Sequence, residues 1–161
     1  MENVYEIRKD KEFYFILPDN YTVHDDILIK KCFVAVVVNL YYIENAEWYL
    51  DQLSQISSIV DVYVISSNSD ILDMVSDNKI QLRKKINRGR DISALLVSGR
   101  DIVSKYKYIC FLHDKKARRT DKNLLVKSWV ENMWLNLIGT KDYIRNVLGI
   151  FNHYPSIGLL V

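Results

Sequence analysis

Apolar positions change their period along this chain, from continuous or alternating runs to a spacing of three or four, and the changes mark out its elements. Val4–Ile7 and Glu12–Leu17 flank Lys9-Asp10-Lys11 and predict an N-terminal hairpin, ended by Pro18-Asp19-Asn20. Cys32–Leu40 is a continuous apolar run, the pattern of a strand buried on both faces. Ala46, Tyr49, Leu50, Leu53 and Ile56 recur at helical spacing and predict a helix from Asn45 to Ser57. Asp61–Ser66 reads as a short β-branched strand. Ser69 is then expected to cap a brief helix carrying Ile71, Leu72, Met74 and Val75. Asn78–Ile86 alternates before turning basic, as a strand nearer a sheet edge would. Asp91 is expected to cap a helix whose apolar face is Ile92, Leu95, Leu96, Ile102 and Val103. Tyr108–Leu112 is the next strand. Asn123–Ile138 reads as an amphipathic helix stopped by Gly139, Thr140 starts another that runs through Phe151, and Ile157–Val161 reads as a last strand.

Strand and helix alternate through Leu112, which implies right-handed βαβ units. The expected fold class is therefore α/β: a mostly parallel sheet with helices on both faces. Residues 1–31 are expected to form a hairpin extension and residues 32–161 the main domain. Because the chain ends inside an apolar run, a truncated piece of a longer protein is expected.

Composition narrows the class. A chain of 161 residues, 49% hydrophobic and 26% charged, can bury the core of one ordered domain. A net charge of +2 is too small for a dedicated nucleic-acid binder, and the strand aromatics sit among aliphatic rather than basic residues. No nucleic-acid partner is expected. Cys32 and Cys110 lie in or beside apolar runs, which points to buried thiols in a reducing compartment rather than a disulfide. Met1 is followed by acidic and polar residues, not a secretion signal, and the longest apolar run is too short to span a bilayer. A cytoplasmic protein is expected.

The local charge distribution says more than the total. Arg83, Lys84, Lys85, Arg88 and Arg90 form one basic cluster, and Lys115, Lys116, Arg118 and Arg119 another. The blocks Asn87-Arg88-Gly89-Arg90-Asp91 and His113-Asp114-Lys115-Lys116 each follow a predicted strand. In open α/β sheets that is where ligands bind. Two basic blocks, each with a carboxylate, suggest a pocket for a phosphorylated ligand. Simpler readings stand beside this one. The first block also suits a turn and an N-cap, with Gly89 supplying a positive φ. The second suits a solvated strand end. Tyr41 and Tyr42 could stack on a base or sugar, or serve as partial core. Trp129 and Trp134 read as core, Cys110 as buried and unreactive, and His24 and His153 as surface residues. No zinc-ligand spacing, P-loop or serine-hydrolase elbow is present.

The succession VAVVVNLYY (Val34–Tyr42), DVYVISS (Asp61–Ser67), NRGRDI (Asn87–Ile92), YICFLHDKK (Tyr108–Lys116), Trp129 with NLIGT (to Thr140) and YPSIGLLV (Tyr154–Val161) resembles the rhamnan synthesis protein F family. Those proteins are bacterial glycosyltransferase-type enzymes of polysaccharide assembly. The resemblance runs from Val34 to the C-terminus and leaves Met1–Lys31 uncovered. The order of blocks also resembles the nucleotide-binding half of a GT-A nucleotide-diphosphosugar transferase. Ser66-Ser67-Asn68-Ser69-Asp70 stands for its second element and Asn87-Arg88-Gly89 for its third. His113-Asp114-Lys115 stands in place of an Asp-x-Asp metal motif, with Lys115 where the second carboxylate would be.

The resemblance implies a glycosyltransferase that moves a deoxyhexose, rhamnose from a dTDP donor, to a cell-surface polysaccharide or a lipid-linked acceptor. The other reading is a non-catalytic nucleotide-sugar-binding or assembly module of a larger protein. The donor is expected against Asn39, Tyr41, Ser67 and Asn68 for base and ribose, against Asn87, Arg90 and Asp91 along the nucleotide or sugar, and against His113, Asp114, Lys115 and Lys116 at the diphosphate. Asp114 is the candidate catalytic base. Lys115 disfavours a cation by like charge, so donor binding without metal is favoured, with Mg or Mn on His113 and Asp114 as the other possibility. The Trp129 helix and the Ile157 strand are expected to floor an acceptor site. Peripheral association with the inner face of a membrane and little activity in these 161 residues alone complete the expectation.

Overall fold

The structure, a computed structural model, describes residues 5–9, 12–16, 33–116 and 123–159. Strands β1 (Tyr5–Lys9) and β2 (Glu12–Ile16) pair antiparallel as the expected hairpin, with Lys9 opposite Glu12. The rest alternates as predicted. Strand β3 (Val34–Leu40) leads through a 3₁₀ turn at Ile43–Asn45 to α1 (Ala46–Ile56) and then β4 (Asp61–Ser66). Helix α2 (Ser69–Asp73), β5 (Ile80–Lys84), a π-helical turn at Ala94–Ser98, α3 (Arg100–Lys105) and β6 (Tyr108–His113) follow. Helices α4 (Asn123–Ile138) and α5 (Lys141–His153) complete the order.

The four main strands form one all-parallel sheet in the order β5-β4-β3-β6. The chain moves outward from β3 to β5 and then returns past β4 and β3 to place β6. Right-handed crossovers put the helices of an outward and a returning path on opposite faces. Side-chain alternation along β3 records this. Val34, Val36, Val38 and Leu40 enter one core with Leu53 and Ile56 of α1, Trp134 of α4 and Leu148 of α5. Ala35 and Val37 enter the other with Tyr63, Ile65, Ala94, Ile102 and Tyr106. Continuous apolar character in β3 therefore follows from burial on both faces.

Several expectations need correction. Asn68, not Ser69, caps α2: its Oδ1 accepts the Asp70 N–H at 3.0 Å. Asp91 directly precedes the first helical residue, Ile92, but makes no side-chain cap, and its carboxylate faces His113 instead. The π turn is wider than an α turn and shifts the helical phase. Ala94 and Ile102 thus pack inward while Ile92, Leu96 and Val103 are exposed. Trp134 is buried against Tyr49 at 4.7 Å between ring centroids, but Trp129 is half exposed and is not core. Residues 157–159 form no strand. With Val34 and Tyr108 they line an apolar cavity of about 410 Å³ towards the amino ends of β3 and β6. That is the far end of the sheet from Asn39 and His113, so this segment cannot floor a site there. Cys32, His24 and residues 160–161 lie outside the described residues.

Candidate functional site

The order β5-β4-β3-β6 reverses direction between β3 and β6, where Asn39 stands opposite His113 at the carboxyl ends. Such reversal points open a crevice for ligands. Here Asp114 closes the base of the crevice. Its N–H donates to the Asn39 carbonyl at 3.2 Å, and its Oδ2 accepts the N–H groups of Tyr41 at 2.7 Å and Tyr42 at 2.6 Å. Burial pushes the Asp114 carboxyl above the usual carboxylate range, partly opposed by those two N–H donors. The residue read as a catalytic base thus clamps the turn after β3 to the end of β6. Asn39 is buried beneath it.

His113 Nδ1 lies 2.8 Å from the Asp114 carbonyl, which can only accept, so Nδ1 carries the proton. Its Nε2 faces Asp91 Oδ2 at 3.6 Å, an ion contact when the ring is charged and too long for a hydrogen bond otherwise. The loop that supplies Asp91 is held from below. Gly89 (φ 76°) and Arg90 (φ 52°) take left-handed backbone, which a non-glycine residue adopts with difficulty. Buried Lys85 donates to the Arg90 carbonyl at 3.0 Å, and the Ser93 hydroxyl donates to the Arg88 carbonyl at 2.6 Å.

A cleft of about 570 Å³ lies over the carboxyl ends of β3, β4 and β5. Tyr41, Tyr42 and Glu44 line it from the first strand's loop, Ser67, Asn68, Ser69 and Asp70 from the second's, and Asn87 from the third's. The Asn87 amide donates to the Tyr41 hydroxyl at 3.5 Å, joining the outer loops across it. Lys84 Nζ donates to Ser69 Oγ at 2.9 Å on one flank. On the other, Lys116 Nζ pairs with Glu44 Oε1 at 2.5 Å and sits 5.8 Å from the Tyr42 ring centre. Lys115 Nζ lies 5.6 Å from the Trp129 ring centre, at a second cavity between α1 and α4.

The site residues thus fall into groups. Tyr41, Ser67, Asn68 and Asn87 share one cleft, His113 and Asp91 face each other, and Lys115 and Lys116 line the second cavity. Arg90 contributes its carbonyl to the loop's support. The first basic cluster disperses. Both terminal nitrogens of Arg83 bind Asp101, Lys84 reaches Ser69, and Lys85 turns inward. Arg118 and Arg119 lie outside the described residues. Sequence reasoning missed Glu44 and Lys85. Glu44 stands in a short turn with no motif, and Lys85 lies in a basic run that gives no sign of burial.

Among the described residues no three of His, Cys, Asp and Glu converge as metal ligands. Asp114 Oδ2 accepts two N–H groups and His113 Nδ1 donates to a carbonyl, which leaves His113 Nε2, facing Asp91, and Asp114 Oδ1 as the remaining donor atoms of this pair. Burial pushes the Cys110 thiol up to about 12, away from the thiolate form that a nucleophile needs.

Comparison with curated proteins and with solved structures finds no match. The family model described as rhamnan synthesis protein F matches residues 1–161, including the first 31 that the block resemblance leaves uncovered. With the whole length matched, the chain belongs to the rhamnan synthesis protein F family, and its role lies in polysaccharide biosynthesis.

Proposed function

We propose that the cleft over β3, β4 and β5 receives the nucleotide of a sugar donor, and that the protein is a glycosyltransferase of the GT-A kind. It moves a deoxyhexose, rhamnose from dTDP-rhamnose, to a bacterial cell-surface polysaccharide or its lipid-linked precursor. One observation carries the reading. Tyr41, Ser67, Asn68 and Asn87, from three separate loops, meet in one cleft at the carboxyl ends of a parallel sheet in a member of a polysaccharide-building family. Exposed Tyr41 offers a ring for the base, and Ser67 and Asn87 offer hydrogen-bonding groups for the ribose. Lys84 and Lys116 flank the cleft and supply positive charge for the diphosphate without a metal. A lipid-linked acceptor would bring the protein to the inner face of the membrane; among the described residues no helix is long and apolar enough to cross it.

A second reading, a non-catalytic nucleotide-sugar-binding or assembly module, draws on the engagement of Asp114 with backbone. Thermal-shift measurements with dTDP-, UDP- and GDP-sugars and a short RNA test donor binding. A dTDP-sugar should raise Tm by mass action, and Tyr41→Ala combined with Asn87→Ala should abolish the rise. No response to any nucleotide, beside a salt-sensitive response to RNA, would overturn the proposal. Release of dTDP in the presence of an acceptor decides between transferase and binding module.

A further inference from the structure

The second cavity, about 430 Å³, lies between α1 and α4 and is within the roughly 300–1,000 Å³ range of small-molecule sites. Its chemistry differs from that of the nucleotide cleft. Glu44, Glu47 and Glu131 are set against Lys115, Lys116 and Lys127, with Trp48 and Tyr49 also in the lining. Lysine and glutamate are balanced in number, and two pairs are already formed, Lys116–Glu44 at 2.5 Å and Lys127–Glu131 at 3.7 Å. A phosphate would meet three carboxylates as well as three lysines here, with no excess of positive charge. A neutral polyhydroxylated ring suits the lining better: its C–H face packs on an indole, and its hydroxyls bond to carboxylates and ammonium groups.

Glu44 lines both cavities. Ligands in the two would flank this residue. Asp114, buried and holding two N–H groups, lines neither cavity and is poorly placed for proton exchange.

Resting on the transferase reading above, we propose that the second cavity is the acceptor-sugar subsite and that Glu44 takes the acceptor hydroxyl's proton. The acceptor oxygen attacks the donor's anomeric carbon as the bond from that carbon to the phosphate oxygen breaks. The electron pair leaves with the nucleoside diphosphate, and the hydroxyl proton passes to Glu44. Lys116 links the two events. It pairs with Glu44 at rest and lies against Tyr42 on the wall of the nucleotide cleft, so a diphosphate there competes for it. At rest the Lys116 hydrogen bond holds the Glu44 carboxyl below the usual carboxylate range, which makes it a poor base. Transfer of Lys116 to the phosphate restores its basicity only when a donor is present.

The test uses dTDP-rhamnose as donor and methyl α-L-rhamnoside as acceptor probe with the full chain. Glu44→Gln should lower the transfer rate by ~10²-fold or more while donor binding is kept or strengthened, since Lys116 is then free for the diphosphate, and Glu44→Asp should recover part of the rate. Adding dTDP should move the Glu44 carboxyl ¹³C resonance in the wild type and leave it still in Lys116→Met. Glu47→Ala and Trp48→Leu should weaken acceptor binding and spare dTDP binding. Near-wild-type transfer by Glu44→Gln, or acceptor binding unchanged in both cavity variants, overturns this inference and leaves the transferase reading standing. A wild-type chain that binds dTDP-rhamnose without transferring from it overturns this inference and favours the binding module, and one that does not bind it overturns both.

Discussion

Asp114 shows how one side chain's role depends on what surrounds it. A carboxylate after an apolar strand suggests catalysis, yet its Oδ2 accepts two backbone N–H groups across the reversal point of the sheet. Asparagine can accept the same bonds through its Oδ1 without a buried charge. Asp114→Asn should therefore keep the melting temperature close to the wild type. Asp114→Ala leaves two N–H groups without an acceptor and should lose about 2–6 kcal/mol, at about 1–3 kcal/mol for each buried unsatisfied group. Urea unfolding of the two variants checks this, and equal losses would sink the clamp role. Gly89 is constrained in a similar local way: its φ is 76°, and a Cβ there would lie 2.7 Å from Ser93 Cβ.

Between elements, Arg83 on β5 ties the sheet edge to α3. It binds both carboxylate oxygens of Asp101 and the Ser98 carbonyl at 2.8 Å, and it lies 5.4 Å from the Tyr63 ring centre. The Arg83 guanidinium lowers the Asp101 carboxyl to about 2. A depressed folded value means stability that is present above the unfolded value, about 4, and lost as pH falls through the folded one. Asp101→Asn should therefore melt below the wild type at neutral pH, by a modest and salt-sensitive margin because the pair is exposed. The gap should close as pH falls from about 4 towards about 2, followed by circular dichroism melts. A gap independent of pH would mean that the ion pair adds nothing.

For the whole molecule, β3 matters most because its residues feed both cores, Val36 and Val38 on one face and Val37 on the other. Two cores sharing a strand should unfold together. Trp134 fluorescence, which reports the first core, and far-ultraviolet circular dichroism should follow one transition across residues 33–159. Leu53→Ala, which empties a fully buried site in the first core, should shift that transition by about 2–5 kcal/mol without splitting it. Two separated transitions would contradict a shared core.

The elements themselves were legible in the sequence because period and burial are tied locally. A strand buried on both faces must be apolar throughout, as Val34–Leu40 is, and a helix on one face must repeat its apolar positions, as Ala46–Ile56 does. The alternation of elements sufficed for a parallel sheet, and the blocks after the strands sufficed for the family and for Tyr41, Ser67, Asn68 and Asn87 as cleft residues. Other features depended on contacts between distant residues, which no local pattern encodes. The engagement of Asp114 with Tyr41 and Tyr42 spans more than seventy residues, as does the Lys116–Glu44 pair. The inward turn of Lys85, the exposure of Trp129 and the course of Ile157–Leu159 likewise depend on which neighbours the fold delivers. Periodicity determines which face a residue takes, but only tertiary packing determines what waits for it there.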